Sequence, residues 1–363
     1  MQVYKISTIF CLFYWLILMT SCNGQNKVIQ NKVIAKGEAA FGLDPKIWAI
    51  YQDENNHYWF GSNGNGVFRY DGKKLIQYTK KDGLVNNTIR SIQGDQLGNE
   101  FIGTPHGVSK YDGTTFTTLA PIISAANEWK LNPTDLWFNC NGNALYRYDG
   151  TSLYELTLPN QDLKKTFGID VVGIGFRGMN DSPYAVYGLD KDKAGNLWIG
   201  TVTAGAFRYD GNDFLWVSEK ELSTLPDGRV PGVRSMLEDK AGNMWLSNFI
   251  SKYQISEDGF SYEKLVGIDP ANELLQDRLP YFNSGLADKD GNLWMTTYGG
   301  GVWKYDGQEL YNFPVINGVT EALSISIYQD NQGVLWLGTD NVGAFRWNGE
   351  GFERFEPMRK SDK

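Results

Sequence analysis

Short apolar runs bounded by Asp, Asn and Gly recur along most of this chain. One stretch shows the pattern: I-R-S-I-Q (89–93), N-E-F-I-G-T (99–104), G-V-S-K-Y-D (107–112) and T-F-T-T-L (115–119). Such runs, rich in aromatic and β-branched residues between turn signals, predict antiparallel strands joined by tight hairpins. An aromatic opens the equivalent strand in each copy, at Trp59, Phe101, Trp137, Trp198, Trp245, Trp294 and Trp336. An Asp-Gly or Asn-Gly turn follows 11 to 13 residues later every time, from Asp71-Gly72 to Asn348-Gly349. The aromatics themselves stand 42, 36, 61, 47, 49 and 42 residues apart. Fixed spacing within the unit and variable spacing between units mark a repeated supersecondary element with insertions in its linkers. Four strands repeated seven times predict an all-β, seven-bladed β-propeller of four-stranded antiparallel blades over residues 46–356, with an open solenoid as the alternative. Residues 22–45 form a tether and 357–363 a tail. Residues 28–34 leave ring closure open, because they offer a further outer strand.

Composition agrees with many strands and tight turns: 41 Gly, 12 Trp, 20 Tyr and 19 Phe. The net charge of -8 and the absence of a basic run outside the tail argue against nucleic acid as a partner. Residues 1–21 read as a signal peptide, with Lys5 followed by an apolar stretch from Ile9 to Met19. The segment L-M-T-S-C resembles a bacterial lipoprotein signal, which makes Cys22 the lipidated residue and the membrane contact an anchor. An ordinary secretory signal with an incidental Cys22 is the alternative. The sequence Asn23-Gly24-Gln25-Asn26 lacks an acidic export signal, favouring an outer-membrane anchor facing the periplasm, with surface exposure the other option. Cys140 then remains alone, without a disulfide partner and without a neighbouring base to make it a nucleophile.

Binding residues are expected where the repeat is broken. In an up-and-down blade, the loop between the second and third strands shares a face with the linkers between blades. Matched loop positions hold Asn63, His106, Asn141, Thr203, Asn248, Tyr298 and Asn341. The start of the inner strands holds Trp48, Arg90, Tyr187, Arg234, Asn283 and Ile325. Arg90 and Arg234 suit a carboxylate or sugar hydroxyls, with a tie between neighbouring blades as their competing role. The largest insertion, about 159–184, places Phe176, Arg177, Asn180 and Asp181 among glycines. The ligand-binding candidates are therefore Arg90, His106, Phe176, Arg177, Asp181, Arg234, Asn248 and Tyr298. Trp129, Trp216 and Trp303 offer flat faces for sugars, although most tryptophans of a repeat belong to its core.

No metal site or cofactor is expected. His57 and His106 lie in different copies, and the D-x-x-G-N segments lack the length and terminal Glu of an EF-hand. No P-loop, dinucleotide or G-x-S-x-G signature occurs. Asp181, Asp227, Glu238, Asp277 and Glu321 are the raw material for a pair of catalytic carboxylates.

The copies D-K-A-G-N-L-W-I-G-T-V-T-A-G-A-F-R-Y-D-G (192–211) and D-K-D-G-N-L-W-M-T-T-Y-G-G-G-V-W-K-Y-D-G (288–307) resemble the two-component regulator propeller repeat. That resemblance implies kinship with periplasmic sensor regions of hybrid histidine kinases, many of which sense glycans. No kinase portion follows here, so in-chain signalling is not expected. A weaker similarity, to seven-bladed streptogramin lyases, makes His106 the candidate catalytic histidine, without a matching segment around it. The expected function is a non-enzymatic propeller lipoprotein of the envelope that binds a glycan, a peptide or an envelope protein, or acts as a scaffold in an outer-membrane complex. The alternative is a carbohydrate-active hydrolase or lyase on the same scaffold.

Overall fold

A computed structural model describes residues 34–357, apart from 96, 124–128, 141–143, 168–181, 223–227, 270 and 276–280. It is an all-β, seven-bladed propeller. Blade 1 takes its inner strand from Ile47–Gln52 and continues outward through Tyr58–Ser62, Val67–Tyr70 and Leu75–Tyr78. Blades 2, 4, 5, 6 and 7 repeat this order, beginning at Ser91, Val186, Met236, Ser284 and Ser324.

Each Asp before the second strand organises its hairpin. In blade 5, Asp239 Oδ1 accepts the backbone N–H groups of Ala241 and Asn243 at 2.9 Å, and Oδ2 accepts the Trp245 indole N–H at 3.0 Å. The indole bond recurs for Trp59, Trp198, Trp294 and Trp336, with Asp53, Asp192, Asp288 and Asp330. One carboxylate thus closes a turn and fixes the ring that fills the space between blades. Trp59, Trp198 and Trp245 are each no more than 1% exposed. A cation often covers the ring: Lys252 lies 5.6 Å from the Trp245 centroid and Lys304 5.5 Å from that of Trp294. The second marker has the same economy. Asp210 Oδ1 accepts from Asn212 and Asp213, Gly211 adopts φ 104°, and the Tyr209 hydroxyl donates to the Gly211 carbonyl at 2.7 Å.

Blade 3 departs from the expected plan. Its described strands are Leu136–Asn139, Leu145–Tyr148 and Leu153–Leu156, with Pro121–Ile123 added outside and parallel to the last. Leu131 stands six residues before Trp137, where the other tryptophan blades place Asp. Accordingly, the buried Trp137 indole N–H has no hydrogen-bond partner among the described residues. Asp135 pairs instead with Arg147, at 3.0 Å from Nε.

The described part of the tether, from Ile34 on, lies at the rim of the ring. Glu38–Ala40 pairs antiparallel with the outer strand of its own blade 1, and residues 28–33 lie outside the described residues. Ile34 bridges to Thr115 and Gly37 N–H donates to Asp82, so this segment straps the rims of blades 1 and 2 together. The joint between blades 7 and 1 combines a backbone bond, from Gly343 N–H to the Pro45 carbonyl at 2.8 Å, with side-chain contacts. Tyr58 donates to Asp330 at 2.7 Å, and Phe355 packs on Phe60 and Trp336 at centroid distances of 5.6 and 4.9 Å.

Candidate functional site

The loops between second and third strands do share a face with the interblade linkers. Bridges from Asn63 to Thr88, Asn248 to Tyr281 and Tyr298 to Leu323 join the two kinds of segment. At this linker face, the inner strands begin and their side chains border the central channel. Trp48 is half-buried there, and its indole N–H donates to Asp340 Oδ1 at 2.7 Å. The Tyr298 hydroxyl reaches Asp340 Oδ2 at 3.3 Å, and the exposed Arg90 guanidinium lies 4.6 Å from the Trp48 ring centroid. Asp340 and its partners thus draw residues of blades 6, 7, 1 and 2 into one polar-aromatic cluster. A related pair stands at blades 4 and 5, where Arg234 covers Tyr187 at 4.6 Å and donates from Nε to the Pro231 carbonyl at 2.9 Å.

Both arginines therefore tie neighbouring blades while standing at the channel mouth. Tyr298 is 51% exposed and offers a ring to solvent. Beside it, the hairpin Ile316–Asn317 and Thr320–Glu321 projects Ile316 and a fully exposed Val319. His106 sits on the blade 2 loop, its Nδ1 2.8 Å from the Asn86 amide nitrogen. Asn248 is buried, and its oxygen accepts from the backbone of Ile250 and Ser251, a turn-forming role. Phe176, Arg177 and Asp181 lie outside the described residues, as do Asn141 and Cys22. Sequence reasoning missed Asp340 as the anchor of the cluster. The signal was its place four residues after Trp336, as Tyr298 stands four after Trp294; the position matched in blade 7 was Asn341, one residue further on.

Of the three tryptophans considered as sugar platforms, Trp303 is in a blade core, while Trp129 and Trp216 are half-buried against one. Trp303 is 2% exposed, Trp216 donates to the Ala204 carbonyl, and Trp129 packs against Trp137, Tyr209 and Phe214. Among the carboxylates weighed as catalytic pairs, Glu238 ends the blade 5 inner strand and accepts from Lys193 N–H at 2.6 Å. Glu321 lies in the linker hairpin, at the other end of the inner strands. Asp181, Asp227 and Asp277 lie outside the described residues. No group of three or more His, Cys, Asp or Glu able to hold a metal is found among the described residues. Cys140 is buried, and burial pushes its thiol up to about 12.

Residues 42–64 and 320–341 match the family model of the two component regulator propeller. These stretches carry the first two strands of blades 1 and 7, so the repeat is present on both sides of the ring joint. Among solved structures, the chain is similar to the extracellular domain of a putative one component system from B. thetaiotaomicron, with 20% identity and a TM-score of 0.53. That match covers 88% of this chain and 40% of the sensor domain, so the chain spans well under half of that relative's length. A streptogramin B lyase is similar at 13% identity and TM-score 0.57, covering 85% of this chain and 96% of the lyase. PorZ, a bacterial surface component of the type-IX secretion system of Porphyromonas gingivalis, is similar at 16% identity and TM-score 0.52, covering 85% of this chain and 47% of that one. At these identities the likeness is one of fold. No curated protein matches the chain. Among the described residues no helix is long and apolar enough to cross a membrane.

Proposed function

We propose that this protein is a non-catalytic recognition propeller of the bacterial envelope, held by lipid at Cys22, whose linker face binds an extracellular glycan. The observation that carries this reading is the contrast between the two kinds of polar residue. Repeated Asp and Asn side chains are consumed in turns and indole bonds. The residues that break the repeat gather at the mouth, as Trp48, Arg90, Tyr298 and Asp340. An aromatic ring beside a carboxylate and a guanidinium suits a sugar, stacking on its C–H face and bonding its hydroxyls. The fold likeness to sensor extracellular domains and to a surface secretion component supports an envelope setting.

The test is a glycan array probed with lipid-free protein, followed by titration of any hit. Tyr298→Ala and Asp340→Ala are expected to weaken binding about ten-fold each, corresponding to about 1.4 kcal/mol. A hit unaffected by both substitutions would move the site elsewhere. An array without hits, together with stoichiometric co-isolation of an envelope protein from intact membranes, would replace the glycan with a protein partner.

A further inference from the structure

At the face opposite the linkers, where the hairpin turns lie, two seams share a contact between blades. The residue just before the hairpin Asp reaches back to the turn of the preceding blade. Gln52 of blade 1 accepts from Asn331 N–H of blade 7 at 2.9 Å. Glu238 of blade 5 accepts from Lys193 N–H of blade 4 at 2.6 Å, and its other oxygen lies 3.8 Å from the Lys193 ammonium. In both seams the donor is the residue that follows the preceding blade's own Asp, Asp330 or Asp192.

Between blades 5 and 6 the same two positions hold Lys240 and Ala287. Alanine ends the inner strand of blade 6 and has no polar group to offer. The Lys240 N–H is left without an acceptor among the described residues. Its ammonium meets no carboxylate there either; it donates to the Asn292 side-chain oxygen and to the Asp306 carbonyl, each at 3.2 Å. Gly291 allows this crossing, because a β-carbon there would lie 2.8 Å from Lys240 Cγ.

Beside Lys240 the seam opens as a groove of about 550 Å³, a size that suits small-molecule sites. Lys240 and Lys252 line it from blade 5, and Leu293, Tyr305 and the turn 306–308 line it from blade 6. Two carboxylates border it as well, and both are engaged. Asp239 takes the Trp245 indole and the N–H groups of Ala241 and Asn243, with Lys252 3.8 Å from its Oδ2. Asp306 Oδ1 accepts from Gln308 and Glu309 N–H at 2.9 Å. The Lys240 ammonium is the charge in the groove without an opposite partner.

We infer that this groove binds a small organic carboxylate, which takes at Lys240 the role that the Glu238 side chain has at Lys193. The bond between ammonium and carboxylate is charge-assisted, and between two walls it is screened less than an exposed pair. A cationic ligand would face two lysines and find both carboxylates already bonded. The Tyr305 ring and the Gln308 amide then meet the body of the ligand, a sugar ring or a short chain. This site is independent of the glycan reading, which concerns the opposite face.

The experiment is titration calorimetry of the full chain in detergent at low ionic strength. The probes are D-glucuronate and succinate, with D-glucose as the neutral control. Mass-spectrometric mapping of lysine acylation then locates the site. At least one carboxylate is expected to bind, glucose is not, and the bound probe should protect Lys240 more than Lys193. Lys240→Met should weaken binding about ten-fold. Ala287→Glu should weaken it similarly, by supplying from within the chain the carboxylate that blade 5 carries. Both positions are exposed, so each folded variant tests the site separately. Tyr298→Ala, on the other face, should leave binding unchanged. Glucuronate alone would assign an acidic sugar, succinate alone an acyclic acid, and both together a site that reads the carboxylate itself. Absence of binding by either probe, binding that survives both groove substitutions, or protection that misses Lys240 would overturn the inference.

Discussion

Trp245 and Asp239 show what a single pair contributes to a blade. The carboxylate is buried, which disfavours its charge. Yet the bonds from Trp245 and Asn243 hold Asp239 below its ordinary range. Blade 2 shows how the pair can be relaxed. Phe101 replaces the tryptophan, Asp95 takes the Asn99 amide at 2.8 Å, and Lys110 lies over the ring. Trp245→Phe therefore removes one charge-assisted bond while preserving most of the packing, and should cost about 2 kcal/mol in urea unfolding. Asp239→Ala removes the turn bonds as well and should cost about 4 kcal/mol, summing bonds to a charged group. Equal losses would mean that the indole bond alone carries the motif. The Asp-to-aromatic spacing was legible in the sequence because these bonds demand it. The Trp48–Asp340 pair was not legible as a pair. Its members lie 292 residues apart and meet only because the ring closes.

At the scale of the element, the Gly in W-x-G-T sets how closely blades approach. A β-carbon at Gly200 would lie 2.2 Å from the Val233 carbonyl oxygen, and one at Gly338 would lie 2.6 Å from that of Ile47. The obstacle at Gly200 is the backbone of the linker that enters the next blade, and at Gly338 the first residue of the next inner strand together with the Ser326 hydroxyl; no rotamer change can relieve the backbone part. Overpacking of this kind costs about 1–3 kcal/mol. Gly200→Ala and Gly338→Ala should lie at or above the upper end, read as lowered urea midpoints. Gly351→Ala, where a β-carbon meets nothing within 4 Å, should leave the midpoint nearly unchanged. The sequence foretold the blades well because turns and strands are local. It foretold blade 3 poorly. Trp137 and Asp149 keep the spacing of the markers, while Leu131 has already removed the acid that the inner hairpin uses elsewhere.

Across the whole molecule, strand order was readable from the repeat, whereas the path of the tether was not. Residues 34–40 contain little periodicity, and their place follows from a bridge to Thr115 and a bond to Asp82 in other parts of the chain. Their strap is peripheral. A protein lacking residues 1–41 should still fold, with an unchanged far-ultraviolet circular dichroism spectrum, a modestly lower melting temperature and faster exchange along Leu75–Tyr78. Collapse of the whole ring would show that the strap is part of its closure. The joint itself is formed by the Gly343–Pro45 backbone bond and by Tyr58, Asp330, Phe60, Trp336 and Phe355, with every blade sewn from consecutive strands. Such a ring is modular in its heredity. Duplication or loss of one unit, about as long as the 42 residues between Trp59 and Phe101, leaves every remaining sheet whole. What must change is the angle at which neighbouring blades meet. Ancestors or descendants with another number of blades are therefore separated from this protein by repacked seams, with no rethreading of the backbone.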